Sequence, residues 1–298
     1  MSNGSKVAAI VVTYNRVDLL KKCVFALENQ VDVQINHLII INNDSTDGTA
    51  RYLESLSYDG LIIKNLNNNL GGAGGFNKGL KVAITETNDD YFWIMDDDTF
   101  VHDHTLYALE SAALKLDYQF SFLTSNVKDP RGKAANIPEP NQNWTGKIND
   151  GMVKVDSASF VSILFNRQAV EAQGYPISDF FIWHDDTEYT IRLNKYAPGY
   201  FVANAHVTHN ALVGDTQITA VNDVKGRIPR YYYLFRNEVY IMRYHFSKKR
   251  VIKAVLHGYL VAMQCLLTAK DYRFKRFCSV VKGTTAGLFF NPTVERTR

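Results

Sequence analysis

The chain has 298 residues, 46% of them hydrophobic, which is too apolar for a disordered protein and enough for one large α/β domain with an accessory region. Its three cysteines, Cys23, Cys265 and Cys278, fit neither a disulfide framework nor a cysteine-based zinc site, and suit reduced thiols in a cytosolic protein. A net charge of +3 hides an asymmetry: residues 1–224 carry 17 Lys and Arg against 27 Asp and Glu, whereas residues 225–298 carry 16 against 3.

The first apolar run, within VAAIVVTY, is too short for a signal-peptide core and reads as a strand. Similar runs follow at His37 to Ile41, Leu61 to Lys64 and Tyr91 to Met95. Between the first two, Val17, Leu20, Cys23, Val24 and Leu27 recur at helical spacing; after the fourth, Leu106, Leu109, Ala113 and Leu116 do so. This alternation predicts a mostly parallel sheet covered by helices. Residues 128–149 have loop composition, and loops of that length are usually functional or mobile. Patterning resumes with a strand over Val155 to Leu164, a short helix near Arg167 to Ala172, a helix after Trp183 and a strand near Tyr200 to Thr208. Beyond Ile228 the chain reads as wholly helical. The simplest division is a catalytic domain over 1–224 and a basic helical region over 225–298.

Four segments carry chemistry. The strand Tyr91 to Met95 delivers Asp96, Asp97 and Asp98 at its carboxyl end, where α/β sheets place ligands. Strand alternation predicts that Asp96 and Asp98 share a side, giving two oxygen donors for a divalent cation that grips a diphosphate. The alternative is that Asp97, Asp98 and Thr99 cap a following helix. Next, NNNLGGAGGFNKG over residues 67–79 follows a strand and opens a helix, so its glycines allow close backbone approach to an anionic ligand. A dinucleotide-binding fold is disfavoured, because that fingerprint belongs after the first strand, where this chain reads TYNR.

The third segment, FIWHDDTEY over residues 181–189, offers Asp185 and Asp186 as a general base for an acceptor hydroxyl, or else a capping box with Glu188. In the fourth, His206 or His209 could complete a carboxylate metal site, or be structural.

In order and spacing these motifs resemble the family 2 inverting glycosyltransferases of the GT-A fold, over most of residues 6–240: VVTYNR, IINNDSTDGT, NNLGGAGGFNKG, IMDDD, WHDDTEY and a histidine. The resemblance implies that Thr13, Tyr14, Arg16 and Asn43 or Asp44 lie near the nucleotide, with Gly72, Asn77, Asp96 and Asp97 in the donor-binding set. It implies Mn²⁺ or Mg²⁺ on Asp96, Asp98 and His209, Asp186 as base, and Asp185 beside it orienting the acceptor together with Trp183 and His184. The GGAGGF and WHDDTE segments look most like galactofuranosyl and rhamnosyl transferases of bacterial O-antigen, capsule or cell-wall galactan. The donor expected is UDP-galactofuranose, with dTDP-rhamnose second, and the acceptor a lipid-linked glycan. Many members of the family have Glu-Asp where this chain has Asp185-Asp186; the paired aspartates match the galactofuranosyl branch better.

In the basic region, RYYYLFRN over residues 230–237 places aromatics and Arg236 for contact with acceptor sugar or phosphate, with a packed core as the alternative reading of the tyrosines. Val251 to Leu267 is largely apolar but interrupted by Lys253, His257 and Gln264 and flanked by basic clusters, which favours a helix lying on an anionic membrane over one that spans it. The expected location is therefore cytoplasmic, at the inner face of the membrane; a dimerising bundle is the compatible competing use. Nucleic acid is disfavoured, because no zinc finger or RNA-binding signature accompanies the basic residues. The rival functions are a sugar nucleotidyltransferase and a noncatalytic glycan-binding protein.

Overall fold

A computed structural model describes residues 5–210 and 218–297. Val7–Thr13 (β1), His37–Asn42 (β2), Leu61–Asn65 (β3) and Tyr91–Asp96 (β4) pair in parallel in the order β3-β2-β1-β4, as the apolar runs predict. β1 is wholly buried because helices cover both of its faces, which is why it reads as continuous rather than alternating hydrophobicity. Val17–Glu28 (α1) buries Leu20, Cys23, Val24 and Leu27 on one side of the sheet. Gly71–Glu86 (α3) buries Phe76, Leu80 and Ala83 on the other. A short helix, Thr49–Glu54 (α2), lies between β2 and β3.

The chain winds outward from β1 to β3, then returns to place β4 on the other side of β1. The strand order therefore reverses between β1 and β4, and the carboxyl ends of strands at such a switch point are where open α/β sheets place ligands. Val12 is in register with Asp96 at this point.

Past β4 the sheet becomes mixed, running on through β9, β6, β10, β8 and β7. These are Phe122–Lys128 (β6), Glu139–Pro140 (β7), Met152–Ser157 (β8), Ile163–Asn166 (β9) and Gly199–His209 (β10). Thr99–Val101 (β5) pairs with the end of β10. The single strand expected over Val155 to Leu164 is thus two, β8 and β9, which pair with different neighbours. Thr105–Lys115 (α4), Arg167–Gln173 (α5) and Asp185–Leu193 (α6) occupy the predicted helical segments.

After residue 224 come Arg230–His245 (α7), Lys248–Thr268 (α8) and Arg273–Gly287 (α9), packed on one another. The helices stop at Gly287, and residues 288–297 run back as a strap along α5 and the residues after it. There Tyr175 N–H donates to Glu295 O (2.9 Å), Arg296 donates to Ala172 O and Thr297 to Glu171 O. The strap and α7 tie the basic region to the segment around α6.

Candidate active site

β4 ends at Asp96, and the chain then turns through Asp97 and Asp98 into β5. Two expectations are corrected by this turn. No helix follows directly for the carboxylates to cap, since α4 begins only at Thr105. Nor does strand alternation set their directions, because Asp98 lies beyond the strand. Instead Asp97 and Asp98 converge on Arg16, whose Nη1 is 3.2 Å from Asp97 Oδ1 and 2.6 Å from Asp98 Oδ2. Thr13 Oγ1 donates to Asp97 Oδ2 at 2.8 Å, and the Tyr14 N–H points to the same oxygen. The residues at the end of β1 therefore meet the acidic turn.

Burial and repulsion from Asp98 push the Asp96 carboxyl well above the usual range. Burial also raises Asp97, to about 6, against the pull of Arg16 and Thr13. Burial opposes ionisation of Asp98 too, but the hydrogen bond and charge of His209, with Arg16, bring it below its ordinary value. His209 Nε2 lies 3.2 Å from Asp98 Oδ1, and its Nδ1 lies 2.8 Å from Asn136 Oδ1. His206 sits elsewhere, with its ring 6.2 Å from that of His102, so of the two candidates His209 alone joins the acidic turn.

Two carboxylates and an imidazole suit a divalent cation by donor chemistry. Among the described residues no group of three such side chains is arranged to hold a metal ion, and the guanidinium of Arg16 supplies the positive charge at Asp98.

The glycine-rich segment plays a different part from the one expected. Gly71 is at φ +71°, and a Cβ there would lie 2.0 Å from the carbonyl oxygen of Phe181. Gly75 meets the Val12 side chain. These residues set α3 tightly against the sheet and the segment before α6, while Gly72 faces open space and is free to approach a ligand. Asn77 is corrected: it is buried, and its amide donates to Pro176 O (2.7 Å) and to the Glu295 carboxylate, so it fixes α3 to the strap rather than contacting a donor. Asn43 is also structural in its bonding. Its Nδ2 donates to Asn69 Oδ1 and Gly71 O, and its Oδ1 accepts from Leu70 N–H, holding the β3–α3 loop on the end of β2. Asp44 beside it is exposed, at φ +66°.

A continuous arc of contacts thus runs from the acidic turn to α6. It passes from Asp97 to Thr13, from Thr13 O to Asn43 N–H (2.9 Å), from Asn43 to Gly71 O, and from Ala73 N–H to Phe181 O (3.2 Å). Phe181, Trp183 and His184 all have φ between +63° and +67°, a conformation costly for non-glycine residues and found where neighbouring structure over-determines the backbone. Asn237 of α7 supplies that restraint: fully buried, its Nδ2 donates to the carbonyls of Phe180, Ile182 and Trp183.

His184 occupies the N-cap position of α6 without a capping side chain, and the expected capping box does not form, because Glu188 instead bonds Arg192 and His245. Burial lowers His184 to about 4, so it is neutral near pH 7. Asp185 is buried, and burial together with the charge of Asp186 raises its carboxyl. Asp186 is more accessible; burial raises it also, while its Oδ1 accepts from Thr187 N–H and Oγ1.

Two acceptor-binding expectations change. Arg236 is buried, donates to Asp179 O at 2.6 Å and stacks 3.8 Å from the centroid of Phe290. Its role is structural. Trp183 carries Arg227 over its ring at 5.6 Å and meets Tyr231 at 5.2 Å. Sequence reasoning missed Arg227, which pairs with Asp223 at 3.4 Å, and Arg230, whose guanidinium is lowered by burial and by the charges of Arg227 and Arg16. It also missed Asn136 and Asn237. Only a general rule, that a polar residue at a buried helical position must find partners, could have singled out Asn237.

The chain is 28% identical over 208 residues to galactofuranosyltransferase GlfT1 of Mycolicibacterium smegmatis, covering 65% of this chain and 67% of that protein. It is 29% identical over 197 residues to GlfT1 of Mycobacterium tuberculosis, covering 63% and 64%. The chain therefore spans about two thirds of the length of these relatives. Among solved structures, S. aureus TarS 1–349 in complex with UDP superposes with a TM-score of 0.62 at 16% identity, covering 95% of this chain and 81% of that one. GalNAc-T7 with UDP, GalNAc and Mn²⁺ superposes with a TM-score of 0.65 at 12% identity, covering 97% and 57%. Both share the GT-A fold described above. The model of glycosyl transferase family 2 matches residues 8–173, which include the strands that present Thr13, Asn43 and Asp96 and more than half of the sequence, and the chain belongs to that family.

Proposed function

We propose that the chain is an inverting galactofuranosyltransferase that moves galactofuranose from UDP-galactofuranose to a hydroxyl of a glycan acceptor. The observation that carries the reading is the arc of contacts from the acidic turn, at the switch point of the sheet, to Phe181, in the segment that leads into the Asp185–Asp186 pair. The names of the two GlfT1 relatives support the sugar.

The residues divide the work by charge. Arg16 at the acidic turn is the guanidinium suited to a diphosphate, because guanidinium forks pair with phosphate oxygens, and Arg230, which feels its charge, would add to it. Thr13 and Asn43 fix the backbone around the nucleotide end. Asp98 and His209, 3.2 Å apart, would hold a Mn²⁺ or Mg²⁺ ion together with oxygens of the bound donor, and that ion would supply stabilisation of charge on the leaving diphosphate, with Asp96 beside them. In this reading Asp186 serves as the base, supported by its being the more accessible of its pair, and Asp185 orients the acceptor. The acceptor oxygen forms a bond to the anomeric carbon as the bond from that carbon to the diphosphate oxygen breaks. The hydroxyl proton passes to the Asp186 carboxylate and UDP departs. One displacement inverts the anomeric configuration.

A screen of UDP-galactofuranose, UDP-galactopyranose, UDP-glucose and dTDP-rhamnose with Mn²⁺ and a glycan acceptor tests this reading. The expected result is UDP release and a β-linked furanoside from UDP-galactofuranose alone. Preference for dTDP-rhamnose would transfer the reading to a rhamnosyl donor, and pyrophosphate release from a nucleoside triphosphate would replace it with a nucleotidyltransferase.

A further inference from the structure

α8 has two faces of different character. Ala254, Gly258, Ala262 and Cys265 are buried against the neighbouring helices, and a Cβ on Gly258 would lie 2.3 Å from Thr284 Oγ1, so this face is committed to the bundle. On the opposite face Ile252, Leu256, Leu260, Met263 and Leu267 recur every three or four residues and stand exposed, Leu260 by 70% and Leu267 by 67%. At 1.5 Å per residue this stripe runs for about 22 Å, and none of the described residues covers it. An unpartnered apolar strip of that length marks a surface built to meet something.

The charges around the stripe identify the partner. No Asp or Glu occurs between Lys248 and Lys270, while exposed Lys248, Lys249, Arg250 and Lys253 stand at one end and Lys270 and Lys275 at the other. Asp271, the next acid along the chain, is bonded to Arg276, and Glu238 of α7 interacts with His257 of α8. A second copy of the chain fits poorly. A two-fold contact sets the same patch on itself, and either helix orientation would then bring basic ends together. An anionic lipid surface satisfies both features, with headgroups pairing the lysines and the aliphatic stripe sinking below them. α8 is long and apolar enough by length and composition to cross a membrane, but its inner face is already occupied by the bundle, so only the outer face is available.

We propose that α8 docks this chain flat on an anionic membrane, with the Ile252–Leu267 stripe in the acyl boundary and the flanking lysines among the headgroups. The test is co-sedimentation of the full chain with phosphatidylglycerol–phosphatidylcholine vesicles and with phosphatidylcholine vesicles alone, and it requires no sugar donor. The wild type should bind the anionic vesicles, less so as salt rises, and should bind the neutral ones at least ~10-fold more weakly. Leu256→Glu with Leu260→Glu should abolish sedimentation while circular dichroism and donor hydrolysis stay unchanged. Absence of binding by the wild type, or equal binding by the double variant, would overturn the proposal. So would a wild-type dimer in analytical ultracentrifugation that the double variant converts to monomer without any vesicle binding. Vesicle binding by a wild type that hydrolyses no sugar-nucleotide donor would instead count against the proposed sugar transfer.

Discussion

The carbonyl oxygen of Phe181 rests against Gly71, so close that a Cβ at Gly71 would lie 2.0 Å from it. This contact joins the loop that begins α3 to the segment that leads into Asp185 and Asp186, and Ala73 N–H closes it with a hydrogen bond. The start of α6 and the loop held on the end of β2 are set relative to each other at this point.

Gly71→Ala should therefore be costly twice, by φ +71° and by overlap with a backbone oxygen that has no easy retreat. A loss of about 1–3 kcal/mol in urea unfolding is expected, with transfer reduced more than donor binding. Gly72→Ala is the control, since its Cβ would meet nothing within 4 Å and its stability should change little.

Asn237→Ala removes the amide that holds three carbonyls of the strained segment. Buried carbonyls left without a donor cost about 1–3 kcal/mol, and the loss should appear in thermal unfolding together with a lower kcat. Arg236→Met should likewise lower stability while leaving the acceptor KM unchanged, because Arg236 bonds Asp179 and Phe290 rather than facing a ligand. A raised acceptor KM with intact stability would restore Arg236 to the binding set.

The Asp98–His209 pair gives a pH signature. In His209 burial is outweighed by the bond to Asp98, so its folded pKa lies above 6.5. A histidine raised in this way stabilises the fold fully below 6.5 and ceases to do so as pH rises through the folded value. Asp98 is lowered below 3.8, so it stabilises above that value and is lost as pH falls through its own folded pKa. The pair should contribute most between about pH 4 and 6.5. NMR titration of the metal-free protein should give a His209 midpoint above 6.5, and Asp98→Asn should move it downward. An unchanged midpoint in that variant would remove the pairing.

The proposed metal is tested at the same turn. Mn²⁺ titration monitored by electron paramagnetic resonance in the presence of UDP should show one bound ion, and Asp98→Asn should weaken it by at least ~10-fold. Equal binding by the variant would leave Arg16, rather than a metal, as the counter-charge at Asp98.

Much of the sheet was legible because its signal is local. β1 to β4 are apolar runs, and α1 and α4 show their buried face as a repeat of three and four. The grouping of Thr13, Arg16, Asp97 and Asp98 was legible only through family resemblance, since 81 residues separate Arg16 from Asp97. Local rules failed where the chain departs from regular geometry. Asp98 escapes strand alternation by entering a turn, and Phe181, Trp183 and His184 take left-handed conformations that no residue preference announces. Arg236 and Asn77 misled for another reason: a polar side chain in a promising motif has the same letter whether it meets a ligand or a buried carbonyl.

Asp186→Asn bears most directly on the central claim, with sugar transfer and UDP binding measured on the same preparation. The carboxamide keeps the size of the side chain but cannot take the acceptor proton, and a general base contributes about 10²–10⁴-fold. Transfer should fall by at least ~100-fold while calorimetric affinity for UDP stays within about twofold. Transfer at the wild-type rate in this variant would contradict the assignment of the base and the two-sided site built on it.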